Sequence, residues 1–185
     1  MYIAMSTELP SIKETNLSNP ARVTIVASTY NEKYTTALLE NCLDELALYS
    51  DLISVDIVRV PGAYEVPLMV KRAIVKASEG NTPDAVIALG VILRGSTAHA
   101  DLIGEAITKQ LLSISCDTLV PVIHEVLLLD DEQQAFARCI ASSLNRGREA
   151  ARAAISMLSL LESSDDLQSI RKRANKGNAK GSLYH

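Results

Sequence analysis

Tryptophan is missing from this chain and phenylalanine occurs once, so any core it builds must be aliphatic. Cysteine is scarce as well. Cys42, Cys116 and Cys139 are odd in number and widely spaced, which excludes a disulfide framework and fits reduced thiols buried as small apolar residues. No metal-ligand spacing links them to the three histidines, so no metal is expected. A basic excess is also lacking: the net charge of -4 argues against a nucleic-acid binder. No apolar run is long enough to span a bilayer. The opening Met1-Tyr2-Ile3-Ala4-Met5 has neither the basic region nor the apolar segment of a secretory signal, so a cytoplasmic location is expected.

What is present suffices for one domain. The chain has 185 residues, 48% of them apolar, enough for a sizeable core plus tails. Residues 1–21 carry Pro10 and Pro20 among Ser, Thr and Asn and read as an N-terminal arm. Residues 22–162 hold the periodic segments. Residues 163–185 place Arg171, Lys172, Arg173, Lys176 and Lys180 among Asn, Gly and Ser, and read as a basic flexible tail. Within the body, β-branched strands are expected over Arg22–Ser28, Ser54–Val60, Ala85–Leu93 and Val120–Leu128. Helices are expected from Glu32, over Leu68–Ser78, over Asp101–Ser115, from about Asp130 to Leu144, and over Glu149–Leu161. Strands alternating with helices imply right-handed βα units. The expected fold class is therefore α/β, a three-layer αβα sandwich around a four-stranded, mostly parallel sheet.

Such a sheet keeps its chemistry beyond the carboxyl ends of its strands. Three ends should converge: Ser28-Thr29-Tyr30-Asn31, Gly62-Ala63-Tyr64-Glu65 and Arg94-Gly95-Ser96-Thr97-Ala98-His99. Arg94, Ser96 and Thr97 can hold an anion, the small-residue loop offering backbone N–H groups ahead of a helix. The loop has neither the Gly-Lys-Ser/Thr ending of a P-loop nor the spaced glycines of a dinucleotide site. His99 sits in the polar loop and can transfer a proton or merely cap the helix. Tyr30 and Tyr64 either flank a planar ligand or pack. Glu65, in a turn between two prolines, is a capping or ion-pairing group when read alone. His124 and Glu125 interrupt an otherwise apolar strand, the mark of an exposed end, an interface or a site.

Together, Val60-Pro61-Gly62-Ala63-Tyr64-Glu65-Val66-Pro67, Ala85 to Gly90 and Arg94-Gly95-Ser96-Thr97-Ala98-His99 closely resemble the lumazine synthase family. The likeness runs from about Arg22 to Met157, through Glu132-Gln133-Gln134-Ala135 and Asn145-Arg146-Gly147. The resemblance implies a flavodoxin-like fold and a transferase of riboflavin biosynthesis. The family condenses 5-amino-6-ribitylaminouracil with 3,4-dihydroxy-2-butanone 4-phosphate through a Schiff base, phosphate elimination and ring closure with loss of water. It uses no metal or redox cofactor. By the same resemblance, Tyr30 stacks on the pyrimidine. Ala63, Tyr64 and Glu65 hold the ribityl chain, and Val91, Ile92 and Leu93 contact the uracil. Ser96 and Thr97 bind phosphate, His99 transfers protons, and Arg138 binds phosphate from a neighbouring subunit. The implied assembly is a homopentamer, with decamers and 60-subunit shells also in the family, and an association with riboflavin synthase. The chain departs from the family at His124, where a Phe usually covers the ligand from the adjacent subunit. Other departures are Glu125 for Gly or Ser, Leu128-Leu129 for Thr-Thr, Ala100 for a bulky aromatic, and Arg146 for Lys. The other reading of these departures is a non-catalytic lumazine- or flavin-binding, or shell-forming, homologue.

Overall fold

The two most deeply buried strands of this chain sit side by side at the centre of the sheet. β1 (Ala21–Ser28) and β3 (Ala85–Leu93) are buried along almost their whole length. That is the pattern of strands covered on both faces. β2 (Ile53–Val60) and β4 (Val122–Leu129) are only partly buried and form the two edges. The order is β2-β1-β3-β4 and every pairing is parallel. The structure is a computed structural model that describes residues 17–77 and 80–180, with side chains to residue 164. Most of the expected arm, including Pro10, lies outside the described residues, as do the side chains of Arg171, Lys172, Arg173, Lys176 and Lys180.

Each crossover supplies a helix, and the helices divide between the faces. α1 (Glu32–Leu46) and α5 (Arg146–Lys180) cover one face, where Leu38, Cys42, Ala150, Ala154 and Ile155 meet Ile25, Ile87 and Leu89. α2 (Val66–Val75) and α3 (His99–Thr118) cover the other, where Val66, Val70, Ile107 and Leu111 meet Val26, Val86 and Ala88. The three-layer, flavodoxin-like sandwich is thus present, and among the described residues Tyr34 is the one aromatic side chain in its buried core. α5 lies so close to α1 that a Cβ on Gly147 would stand 2.2 Å from the Leu38 carbonyl oxygen.

Several boundaries differ from expectation. α2 begins two residues early because Pro67 occupies its first turn, where a missing N–H removes nothing. Its expected end at Ser78 lies outside the described residues. α3 begins at His99, which is therefore the first helical residue rather than a loop residue. The helix expected to reach Leu144 is instead one short turn, α4 (Glu132–Ala135), followed by a π turn over Phe136–Ile140. Ala141 then turns extended and ends it. α5 starts at Arg146 and its backbone stays helical past Ser163, where the flexible tail was expected. From Ser163 to Lys176 the chain includes the helix formers Leu167, Gln168, Arg171, Lys172 and Ala174, and no glycine or proline interrupts it before Gly177.

Candidate active site

The chain leaves β1 toward β2 on one side, then returns across β1 to place β3 on the other. Loops after β1 and β3 therefore part in opposite directions, and a crevice opens between them at the carboxyl edge. A cavity of about 450 Å³ occupies this position. The β1 end contributes Tyr30 and Asn31, and the turn after β2 contributes Gly62, Ala63 and Tyr64. Val91, Ile92 and Leu93 of β3 form its floor, and Gly95, Thr97, His99 and Ala100 close its far end. Two other hollows, of about 560 and 490 Å³, lie at the opposite edge around Ala21 and Asp84, away from the converging strand ends.

Local hydrogen bonds hold the tyrosine end. Thr29 N–H donates to the Val60 carbonyl at 2.8 Å and Tyr30 N–H to the Pro61 carbonyl at 2.9 Å, which zips the loop after β1 to the turn after β2. Asn31 occupies the first position ahead of α1 but does not cap it with its side chain. Its left-handed backbone (φ 56°) suits asparagine, and its Nδ2 donates to the Val91 carbonyl at 2.8 Å, tying this loop to β3. Tyr30 is 72% exposed and Tyr64 67% exposed. Neither ring is packed, so both are free to meet a ligand.

The other end suits an anion. Ala98 precedes α3, and no side chain caps the helix. The first N–H groups of a 20-residue helix therefore point out beside the cavity with their partial positive charge. Thr97 and His99 stand at that terminus. Arg94 does not act as the expected free cation: its guanidinium donates to Asp101 at 2.6 Å and also to Asp130.

Four expected site residues are not brought into this cavity within one chain. Ser96 is exposed on the loop but does not line the space. Glu65 folds back, its Oε2 accepting from Gly62 N–H at 2.9 Å, and so shapes the turn that carries Ala63 and Tyr64. His124 stands in β4 on the α3 face. Its Nδ1 accepts from Val126 N–H at 3.1 Å, which leaves the proton on Nε2 for Thr108 Oγ1 at 2.8 Å. Thr108 Oγ1 in turn donates to the Gly104 carbonyl at 2.8 Å. Burial holds the His124 pKa below its ordinary value, which favours this neutral ring. Thr108 and Gly104 line a separate open hollow of about 560 Å³ between α3 and β4. Arg138 lies in the π turn, on the far face of the sheet, near Glu125.

Two roles escape the sequence pattern. Asn31, an asparagine directly before the helix expected from Glu32, reads in the sequence as a cap, yet it ties the loop after β1 to strand β3. Asn145 is fully buried and holds two elements at once. Its Nδ2 donates to the Cys139 carbonyl at 2.8 Å and its Oδ1 accepts from Gly147 N–H at 2.9 Å. An asparagine directly before a helix start is the signal that could have found it.

Comparison with known proteins bears on what this cavity serves. The family model for 6,7-dimethyl-8-ribityllumazine synthase matches residues 20–162, a span that contains every strand and every residue lining the cavity. The chain belongs to the 6,7-dimethyl-8-ribityllumazine synthase family. Curated members resemble it over most of their own length. The 6,7-dimethyl-8-ribityllumazine synthase of Chlorobium phaeobacteroides is 41% identical over 141 residues, 76% of this chain and 88% of that protein. Those of Thermococcus gammatolerans and Protochlamydia amoebophila are 38% identical over 145 residues and 37% identical over 160 residues. These alignments cover 78% and 86% of this chain, and 90% and 89% of the respective relatives. No helix among the described residues is long and apolar enough to cross a membrane.

Proposed function

We propose that this chain condenses 5-amino-6-(D-ribitylamino)uracil with 3,4-dihydroxy-2-butanone 4-phosphate to give 6,7-dimethyl-8-ribityllumazine, phosphate and water. The observation that carries this reading is the two-ended cavity at the β1/β3 switch point. One end offers exposed Tyr30 and Tyr64, and the other offers Thr97 and His99 at an uncapped helix terminus. A planar pyrimidine suits the first end and a phosphate ester suits the second. The span between them brings the amine of one substrate to the carbonyl of the other.

The chain's own groups then divide the work. Tyr30 lies against the pyrimidine, the uracil edge meets Val91, Ile92 and Leu93, and the ribityl chain runs along Ala63 and Tyr64, in the turn that Glu65 caps. The α3 N-terminus with Thr97 holds the phosphate, with Ser96 beside it on the exposed loop, and the helix dipole stabilises the charge that develops as phosphate leaves. His99, at the start of the same helix, moves protons during imine formation, elimination and ring closure. Holding both substrates in contact supplies much of the remaining acceleration. The catalytic body is residues 22–162.

Arg138 and His124 do not line the cavity of their own chain, which fits a site completed across subunits of a homopentamer. In this arrangement Arg138 of one subunit reaches the phosphate end of the next, and His124 lies against the ligand there. Pentamers of this kind build decamers and 60-subunit shells. A cytoplasmic setting fits the thiols of Cys42 and Cys139, both buried and both pushed by burial to about 12. A steady-state assay with both substrates tests the reading. Lumazine formation is expected; tight riboflavin binding with no lumazine formed would replace it with the non-catalytic alternative.

A further inference from the structure

Arg94 leaves β3 at the rim of the cavity, one residue before the Gly95–Thr97 loop. Its N–H donates to the Leu129 carbonyl at 2.8 Å, extending the β3–β4 ladder past the end of β3. Its Nη2 donates to Asp101 in the first turn of α3 at 2.6 Å, and its Nη1 donates to Asp130 after β4. Asp130 is itself held twice by the Gln134 amide. Its N–H donates to Gln134 Oε1 at 3.0 Å, and its Oδ2 accepts from Gln134 Nε2 at 2.9 Å. One guanidinium thus joins the anion loop, the start of α3 and the turn that leads into α4. The Arg94–Asp101 pair closes a ring around residues 95–100, the stretch that contains Thr97 and His99.

We propose that Arg94 is a positioning residue. Its clasp on Asp101 and Asp130 sets the Gly95–Thr97 loop and the α3 terminus in the geometry that receives the phosphate end of the substrate, and Arg94 is not itself the anion's partner. This inference rests on the condensation proposed above. The physical argument has two parts. Residues 95–97 are exposed, so burial does little to fix them. Closing so short a loop between a fixed strand and a fixed helix removes most of its conformational freedom before ligand arrives. The planar fork of arginine can meet two carboxylates at once, whereas a lysine ammonium on its flexible stem holds both far less rigidly. The ion pairs are solvent-exposed, 41% for Arg94 against 51% and 55% for its partners, so their removal should leave global stability almost unchanged.

The test compares Arg94→Met, Arg94→Lys, the pair Asp101→Asn with Asp130→Asn, and all three neutral changes (Arg94→Met, Asp101→Asn, Asp130→Asn) together. The readouts are kcat, the separate KM values of the two substrates, the melting temperature, and calorimetric binding of inorganic phosphate to the assembled protein. Arg94→Met and the Asp101/Asp130 pair should each raise KM for the butanone phosphate and weaken phosphate binding about tenfold. The combined variant should be no worse than either. KM for the uracil substrate and the melting temperature should hardly move, and Arg94→Lys should recover part of the loss. If the Asp101/Asp130 pair keeps or improves phosphate affinity while Arg94→Met loses it, Arg94 is a direct anion ligand and the proposal fails. Unchanged kinetics in all variants, or both KM values shifting with a fall in melting temperature, would overturn it too. Absence of turnover in the wild-type protein would instead refute the condensation, and phosphate calorimetry would still decide the role of Arg94.

Discussion

A carboxyl drawn partly out of water resists ionisation, and Glu125, half-buried in β4, is such a group. Burial pushes its pKa from 4.5 up to about 7; Glu149 adds to the rise, and Arg146 and Arg138 oppose it. The unfolded chain releases this proton near 4.5, whereas the folded chain keeps it until about 7. Protonated Glu125 therefore contributes stability below that window, and the contribution is lost as pH rises through it. Glu125→Gln should match the wild-type denaturation midpoint in acid and exceed it above about pH 7; equal midpoints across the range would contradict the assignment. His99 is a prediction of a different kind, because it lines the cavity and the proposed condensation places it beside the reacting groups. His99→Ala should lower kcat on the order of a hundredfold and leave both KM values within about twofold. Sequence pattern alone brings Tyr30, Ala63, Tyr64, Thr97 and His99 together, since each stands at the end of a readable strand. It also allows Glu65 its capping contact with Gly62, but it does not reveal that Arg94 is held by Asp101 and Asp130, because such partners are chosen by the fold and not by spacing.

Among the elements, the segment after β4 departs most from its pattern. Apolar spacing and the acids at Asp130-Asp131-Glu132 announce a helix, and α4 does begin there with Asp131 Oδ1 accepting from Gln134 N–H at 2.7 Å. Periodicity cannot announce the π turn that follows. Its end is gripped from outside, by Asn145 reaching back to the Cys139 carbonyl at 2.8 Å and to that of Ala141 at 3.3 Å. Arg138 stands one residue before Cys139, in the turn that this grip ties to the start of α5. The same junction depends on Gly147. Since a Cβ there would meet the Leu38 carbonyl oxygen at 2.2 Å, Gly147→Ala must push α5 away from α1. We expect a loss of ~3 kcal/mol in chemical denaturation. A variant as stable as the parent would show that the two helices can part freely. The start of α3 misleads for a simpler reason: Ser96 and Thr97 are residue types that favour caps, yet neither caps the helix, and Ala98 stands directly before it.

For the whole molecule, the alternation of strands and helices is enough to predict the layers and the parallel sheet, and right-handed crossovers leave few topologies to choose from. Assembly is not legible in this way, because it depends on which surfaces of separate copies fit. A mixing experiment addresses it. His99→Ala and Arg138→Ala, each strongly impaired alone, should regain wild-type activity at about a quarter of the sites after random subunit exchange, if each site draws His99 from one copy and Arg138 from its neighbour. No recovery would make the site self-contained. The strand order also has a consequence in time. β1 is made first, yet its two neighbours arrive in sequence, β2 and only later β3. No pair of strands in this sheet is joined by a hairpin, so every pairing waits for a helix to be threaded between. While the chain is being synthesised, one edge of the central strand β1 stays open until Ala85–Leu93 has emerged. A nascent chain halted before that point presents a sticky template to its neighbours, and only β3, made after two helices and an edge strand, closes it.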